Sequence, residues 1–271
     1  MNTNTKTMPT YFISHGGGPW PWLDGHFKEA FKFLRSSLER MPGELPEKSK
    51  AILMVSGHWE EDDFTIMSNQ NPGMVYDYSG FPEHTYRIKY PAPGSPELAS
   101  RVRELLKGRG IESRFDPVRG FDHGTFVPMA VSYPNADVPV VQLSLRRDYD
   151  PEAHLALGRA LAPLRGEGVL ILGSGLSYHN LSKFDASAAV PSHEFDLWLQ
   201  ETLIKSSPKE RIKRLLAWEK APSARMAHPQ EDHLIPLMVA VGAAEGESAA
   251  LCYHEDKLFG AIAASSFRLG A

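Results

Sequence analysis

Four short apolar runs, separated by stretches of helical period, constrain this chain more than any other feature of it. They are TYFIS (10–14), AILMVS (51–56), VPVVQLSL (138–145) and GVLILGSG (168–175). Their apolar residues sit on successive positions instead of alternating ones, which predicts strands buried on both faces, as in a parallel sheet. Between them, residues 27–41 carry apolar side chains at Phe27, Ala30, Phe31, Leu34 and Leu38, a spacing of three and four that predicts a helix. In SPELASRVRELLKGRG, Ser95 reads as an N-cap, Pro96 as the first helical residue and Gly108 or Gly110 as the stop. Residues 151–165, 192–206 and 232–244 read as helices in the same way. Strands alternating with helices predict an α/β fold, a single domain over 1–271 with a central mostly parallel or mixed sheet flanked by helices on both faces. The proline-rich stretch 80–96 is a candidate boundary, but its aromatics Phe81, Tyr86 and Tyr90 favour a packed surface loop.

Charge and cysteine content narrow the function. A net charge of -4 without any long Lys/Arg run gives no footprint for nucleic acid or an anionic membrane. One cysteine, Cys252, permits neither an intrachain disulfide nor a thiolate-rich metal site, so the chain reads as intracellular and cytoplasmic. The N-terminal MNTNTKTMPT is polar and no apolar run is long enough to span a bilayer, so neither signal peptide nor membrane segment is expected. The 11 histidines are then the abundant metal-capable side chains.

Their placement is not uniform. His15, His58 and His179 each follow one of the predicted strands, at the edge where open α/β sheets bind ligands. Pro128 and Pro236 restrict where helices can begin, near Gly124 or Thr125 and near Glu231 to His233, which puts His123 and His233 at helix entrances. A single such histidine is usually a cap; five together form a metal-site hypothesis, because neutral imidazole is the commonest metal ligand. The glycines after His15 would let backbone or substrate come close. The other histidines take simpler readings. His154 and His193 are expected on helix surfaces, His26 and His254 have no supporting neighbours, His84 sits in the aromatic loop, and His228 is the reserve ligand candidate.

ISHGGGP, VSGHWE, YPAPGSPELA, GFDHGTFVPM, VPVVQLSL, GSGLSYHNL and EDHLIPLMVAVGAA, in that order, resemble the class III extradiol ring-cleaving dioxygenases. The resemblance is to the single-chain branch similar to DOPA extradiol dioxygenase, and it runs from about residue 9 past residue 244. It implies His15, His58 and His233 as metal ligands, with His179 a catalytic acid/base close enough to count as a fourth ligand in some members, and His123 as a second catalytic pocket histidine. The wider superfamily has a carboxylate as third ligand, so Glu231 and Asp232 stay in view. It further implies Fe(II) as the working cofactor, with Zn(II) able to occupy the site in purified protein, and a small-molecule catechol and O2 as reactants. His179 would take and return a hydroxyl proton while His123 stabilises anionic oxygen or bonds the substrate. A monomer or simple homo-oligomer is expected.

Weaker candidates and rivals complete the reading. Trp20, Trp22, Tyr86 and Tyr178 are candidates to pack on a substrate ring, and Arg87 or Lys89 to meet a carboxylate, although solvated charges are the commoner case. A zinc hydrolase would use the same three histidines with a water. A non-catalytic metal-binding protein would leave His123 and His179 dispensable. A serine hydrolase ranks lower, because Ser174 in GSGLS does not stand in the G-x-S-x-G elbow.

Overall fold

The computed structural model describes residues 6–270, so the first five residues of the polar N-terminal stretch lie outside it. The four predicted runs form β1 (Thr10–Ser14), β2 (Ala51–Glu61), β5 (Val140–Arg146) and β6 (Val169–Gly175). Four further strands join them: β3 (Phe64–Met67), β4 (Ser113–Asp116), β7 (Ala249–Leu258) and β8 (Ile262–Leu269). One eight-stranded sheet results, in the order β4-β3-β5-β2-β6-β1-β8-β7. Its centre, β5, β2, β6 and β1, is parallel throughout, while β8 meets β1 and β3 meets β5 in antiparallel fashion. The sheet is therefore mixed, with the buried parallel core that the continuous apolar runs predict.

Both faces are covered. Helix Ile235–Ala243, buried on all sides, packs on β6, β1 and β2, with helix Pro151–Leu161 against it. The Thr10 hydroxyl donates to the Ala240 carbonyl at 2.8 Å from the same face. Tyr11 and Ile13, one pleat away, point to the opposite face and meet Leu38 and Met41 of helix Lys32–Arg40 and its extension. Helix His123–Ser132 packs beside it, against β2 and β6.

Helix ends differ from expectation where proline or a joint intervenes. The stretch 27–41 breaks at Phe31 into His26–Ala30 and Lys32–Arg40. Pro163 ends the Pro151–Leu161 helix early, and 192–206 becomes helix Ala189–Gln200 followed by a π-turn over Glu201–Lys205. Helix Pro96–Lys107 begins as expected, with Ser95 Oγ accepting from the Leu98 amide at 3.1 Å.

Pro128 lies deeper in its helix than a first-turn proline would. The helix begins at His123 itself, capped by Asp122, whose side chain accepts from the Thr125 amide. A proline at 128 cannot donate to the Gly124 carbonyl. That carbonyl is satisfied instead by the Ser174 hydroxyl, 2.5 Å away and fully buried. Ser174 is thus a structural donor tying β6 to the helix, which removes it from nucleophilic chemistry.

The glycines flanking Ser174 face the other way and serve a different purpose. A Cβ at Gly173 would lie 2.3 Å from the Pro236 carbonyl oxygen, and one at Gly175 would lie 2.0 Å from that of His233. Gly57 on β2 leaves the same kind of room for the Asp232 carbonyl, 2.9 Å from where its Cβ would be. These bare positions let the segment 232–236 lie directly on the sheet, which carries His233 to the edge where His58 emerges. Gly175→Ala is expected to destabilise the protein by about 1–3 kcal/mol, the usual range for overpacking. It should also weaken metal binding, because the displaced backbone is that of His233; thermal melts and metal titration check the two effects separately.

Candidate metal centre and active site

The carboxyl ends of three parallel strands bring His15, His58 and His179 to one edge of the sheet. His15 follows β1 directly, and its amide donates to the Gly175 carbonyl at 3.2 Å. Gly16 has φ +79°, and a Cβ there would lie 2.3 Å from Trp20 Nε1, which donates to the His15 carbonyl at 2.8 Å. The glycines therefore admit the Trp20 indole, which clamps the backbone of His15. His58 lies inside β2 and not beyond it. The pairing of β2 with β5 shifts register between Val55 and Glu60, an irregularity of the kind that re-aims side chains beside active sites. His179 follows β6, its amide bound to the Ala227 carbonyl at 2.9 Å. His233 precedes helix Ile235–Ala243, which starts two residues later than Glu231 to His233 had suggested.

The five imidazoles meet. His58 Nε2 is 3.3 Å from His15 Nε2 and 3.1 Å from His233 Nε2. Behind them stand two carboxylates. His58 Nδ1 lies 3.2 Å from Asp77 Oδ2, and His233 Nδ1 lies 2.7 Å from Asp232 Oδ2. A carboxylate can only accept, so the Nδ1 proton of His233 goes to Asp232 and leaves a bare lone pair on its Nε2, while His58 Nδ1 stands at ion-pair distance from Asp77. His58 Nε2 faces that lone pair at 3.1 Å and the Nε2 of His15 at 3.3 Å, the spacing of ligands around one cation. Nitrogens about 2.1 Å from one ion at angles near 90–110° would be roughly 3.0–3.4 Å apart, so the donor set fits a metal ion.

Asp77, which nothing in the sequence reading singled out, is the hub of this arrangement. Its Oδ1 accepts from both Nδ1 (2.8 Å) and the amide (3.0 Å) of His123 while Oδ2 holds His58. Its one legible signal is a lone carboxylate between Tyr76 and Tyr78 in an otherwise uncharged stretch. Asp77→Asn is expected to weaken metal binding about ten- to hundredfold, the usual cost of losing a carboxylate that orients a ligating imidazole; competition with a chromogenic chelator measures it.

His179 stacks on His233, ring centroids 3.4 Å apart at 20°, with Nδ1 3.9 Å from Asp232 Oδ1. It stands outside the converging Nε2 trio. Burial, reinforced by His123, lowers its pKa to about 4, so it is neutral and able to accept a proton at working pH. Burial and the neighbouring imidazoles likewise hold His15, His58 and His233 well below the usual histidine range. Asp232 is raised to about 7, chiefly by burial, with Glu60 and Glu231 adding to it. A bound cation would act in the opposite direction.

The groups open into a cleft of about 710 Å³, lined by all five histidines. Of the aromatic candidates, Tyr178 lines it; Trp20 is buried in the core, Trp22 packs near Phe126 and Tyr86 backs Tyr78. Arg87 and Lys89 are exposed and away from the cleft, Arg87 paired with Glu83.

The remaining histidines include three corrections. His154, expected on a surface, is fully buried: Nε2 accepts from the Arg146 amide at 3.1 Å and Nδ1 donates to the Asp150 carbonyl at 2.7 Å, so it plugs a strand end and a helix start. His254 has neighbours after all, Ser265, Asp196 and Asp256. His228, the reserve ligand, is buried against Phe195 and Trp218 and spends Nε2 on the Ser177 carbonyl at 3.0 Å. His193 is half-exposed, as expected; His84, a candidate to line a pocket from its aromatic loop, is instead exposed, outside the cleft and against the Trp22 carbonyl.

Burial lowers His154 to about 4 and His228 to about 3. Both are depressed, so the unfolded chain takes up their protons first, near pH 6.5, and stability falls as pH drops from there to the folded values. Each is expected to cost about 2 kcal/mol between pH 7 and 5, at 1.36 kcal/mol per unit. Urea midpoints across that range test this.

An α/β sheet whose parallel centre presents a converged imidazole trio to an open cleft defines the class: a protein with a histidine cluster that could hold a metal ion beside a cleft of small-molecule size. Comparison with known proteins gives the family. The catalytic LigB subunit of aromatic ring-opening dioxygenase matches residues 9–265, and the chain belongs to that family of extradiol enzymes. A "4,5-DOPA dioxygenase extradiol" of Beta vulgaris is 41% identical over 99% of this chain and 98% of its own length. One of Portulaca grandiflora is 39% identical over 96% and 94%, and one of Escherichia coli 31% identical over 98% and 96%. The crystal structure of an uncharacterized protein from Escherichia coli K12 superposes with a TM-score of 0.77 at 29% identity, covering 97% of this chain and all of that one. Among the described residues no helix is long and apolar enough to cross a membrane.

Proposed function

We propose that the protein is a ferrous extradiol dioxygenase that opens the ring of a catechol with O2 to give a semialdehyde. The observation that carries the reading is the set of three Nε2 atoms, two of them backed at Nδ1 by a carboxylate, converging at the foot of an open cleft. His15, His58 and His233 would hold the ion. Ferrous iron, when bound there, supplies a centre that takes both catechol and dioxygen and passes electron density between them, lifting the spin barrier to their direct reaction.

The chain's own groups do the rest. His179, neutral and lining the cleft with Nδ1 turned to Asp232, accepts a catechol hydroxyl proton at Nε2 and returns it when the O–O bond breaks. His123, its Nδ1 donating to Asp77, accepts at Nε2 from a substrate hydroxyl and so fixes the ring. The carbon–carbon bond beside the diol and the O–O bond are cleaved, and both oxygen atoms end in the product as an aldehyde and a carboxylate. Phe27, Phe81, Phe184 and Phe259 wall the cleft and give the ring an apolar surface to lie against.

A zinc hydrolase would use the same donor set, and membership of a ring-opening family weighs against it. A non-catalytic metal-binding protein would have no use for His123 and His179 in the cleft. The test is anaerobic reconstitution with Fe(II), then air, with oxygen uptake and the yellow semialdehyde chromophore followed over a panel of catechols, and Zn(II) protein as control. Uptake matched by chromophore with Fe(II) alone is the expected result. Tight metal binding with no uptake on any catechol would overturn the reading.

A further inference from the structure

Beyond the histidines, the cleft wall is an aromatic belt. Ring centroids step from Tyr78 to Phe81 at 5.5 Å, to Phe27 at 6.2 Å, to Phe259 at 5.8 Å, to Phe184 at 5.5 Å and to Tyr178 at 6.3 Å. Its two ends adjoin the proton-handling groups: Tyr78 lies 5.7 Å from the His123 ring, and Tyr178 is the residue before His179. The belt is built at a conformational cost. Phe259 sits at the tip of the β7–β8 hairpin with φ +51°, a region an aromatic residue rarely adopts. Gly18, φ +52°, leaves the space that Phe81 fills, where a Cβ would lie 2.7 Å from its ring.

Charge in the cleft is of one sign apart from the imidazoles. Glu60, Asp77 and Asp232 line it, and among the described residues no lysine or arginine does. The nearby guanidinium groups are committed elsewhere: Arg119 to Asp122 and the Trp59 face, Arg147 to Asp62 and the Glu60 carbonyl, Arg225 to Glu231 and Glu219. Asp77 and Asp232 are held by histidines, while Glu60 projects two residues beyond His58 on the same strand. A substrate arm leaving the catechol ring therefore meets phenylalanine faces, and a carboxylate on that arm would be buried without a cation and close to like charge.

We infer that this cleft selects catechols whose ring substituent is uncharged and apolar, such as an alkyl or aryl arm, and disfavours catechols carrying a carboxylate. DOPA, for which the plant relatives are named, carries an amino-acid arm; this chain lines its cleft with nothing cationic to receive the carboxylate. The inference rests on the catechol reading above.

The matched pair 3-(3,4-dihydroxyphenyl)propionate and its methyl ester differs chiefly in charge, since ring and chain are shared and the ester adds one methyl, worth about 0.8 kcal/mol or roughly fourfold if buried. Equilibrium binding to Fe(II)-loaded protein under argon is expected to favour the ester about tenfold or more, with 4-butylcatechol on the ester's side and L-DOPA on the acid's. In air, kcat/KM follows the same order. Phe259→Ala is expected to shrink the advantage of 4-butylcatechol over unsubstituted catechol, because the arm loses its wall. An acid that binds as tightly as its ester, or an advantage untouched by Phe259→Ala, overturns the inference while leaving the dioxygenase reading intact. An ester preference in binding without oxygen uptake on any catechol upholds it and removes the dioxygenase reading.

Discussion

His58→Ala is expected to abolish stable metal binding and, with it, turnover. His58 is the centre of the trio, since its Nε2 faces His15 at 3.3 Å and His233 at 3.1 Å. Alanine there leaves two imidazoles and frees Asp77, which also anchors His123, so the ion loses a ligand and the pocket loses the order around a second histidine. The loss should exceed the roughly ten- to hundredfold that removing a supporting carboxylate costs. Metal content after dialysis and oxygen uptake with catechol are the measurements. A His58→Ala protein that retains its ion through dialysis would refute the ligand assignment. A circular dichroism spectrum matching the parent guards against the trivial explanation, and is expected because His58 lies at the far end of β2, beyond the stretch paired with β6.

The second large effect separates binding from chemistry. His179→Gln is expected to keep the metal and lose about 10²–10⁴ in kcat, the range for a positioned acid/base group. The geometry explains the split: His179 stacks on His233 without sharing the Nε2 trio. Its pKa, lowered to about 4 by burial and His123, makes the neutral form the active one. The parent's kcat/KM therefore rises as pH increases through the acid range and levels above it, and the variant should lack that limb. Retained activity with an unchanged pH profile would return His179 to a structural role and revive the reading of a protein that only binds metal.

Residues such as Ser95 and Pro96 wrote their helix start in local chemistry, and the structure reproduces it. The central strands were legible for a related reason: burial on both faces demands an unbroken apolar run, which is visible in one dimension. The edge strands were not. Ser113–Asp116 is half exposed, and Ile262–Leu269 is buried with Ser265 and Ser266 in its middle, so neither shows the pattern of its environment. His154 misled because helical periodicity says which face is apolar, not what the adjoining strand needs; the Arg146 amide needed an acceptor.

The order of strands and histidines along the chain determined that His15, His58 and His179 would leave one edge of the sheet, because parallel strands share a direction and so present their exits together. Proline and glycine placed His123 and His233 near helix starts by restricting backbone angles, again a local matter. Tertiary structure alone decided the rest. Gly57, Gly173 and Gly175 matter for the space they leave to a segment some 60 to 175 residues distant. Asp77 acquires its part by being folded under His58 and His123, and Phe259 by a hairpin that turns it into the cleft. Contacts of that kind depend on where separate segments meet, and a residue type carries no record of its distant neighbours.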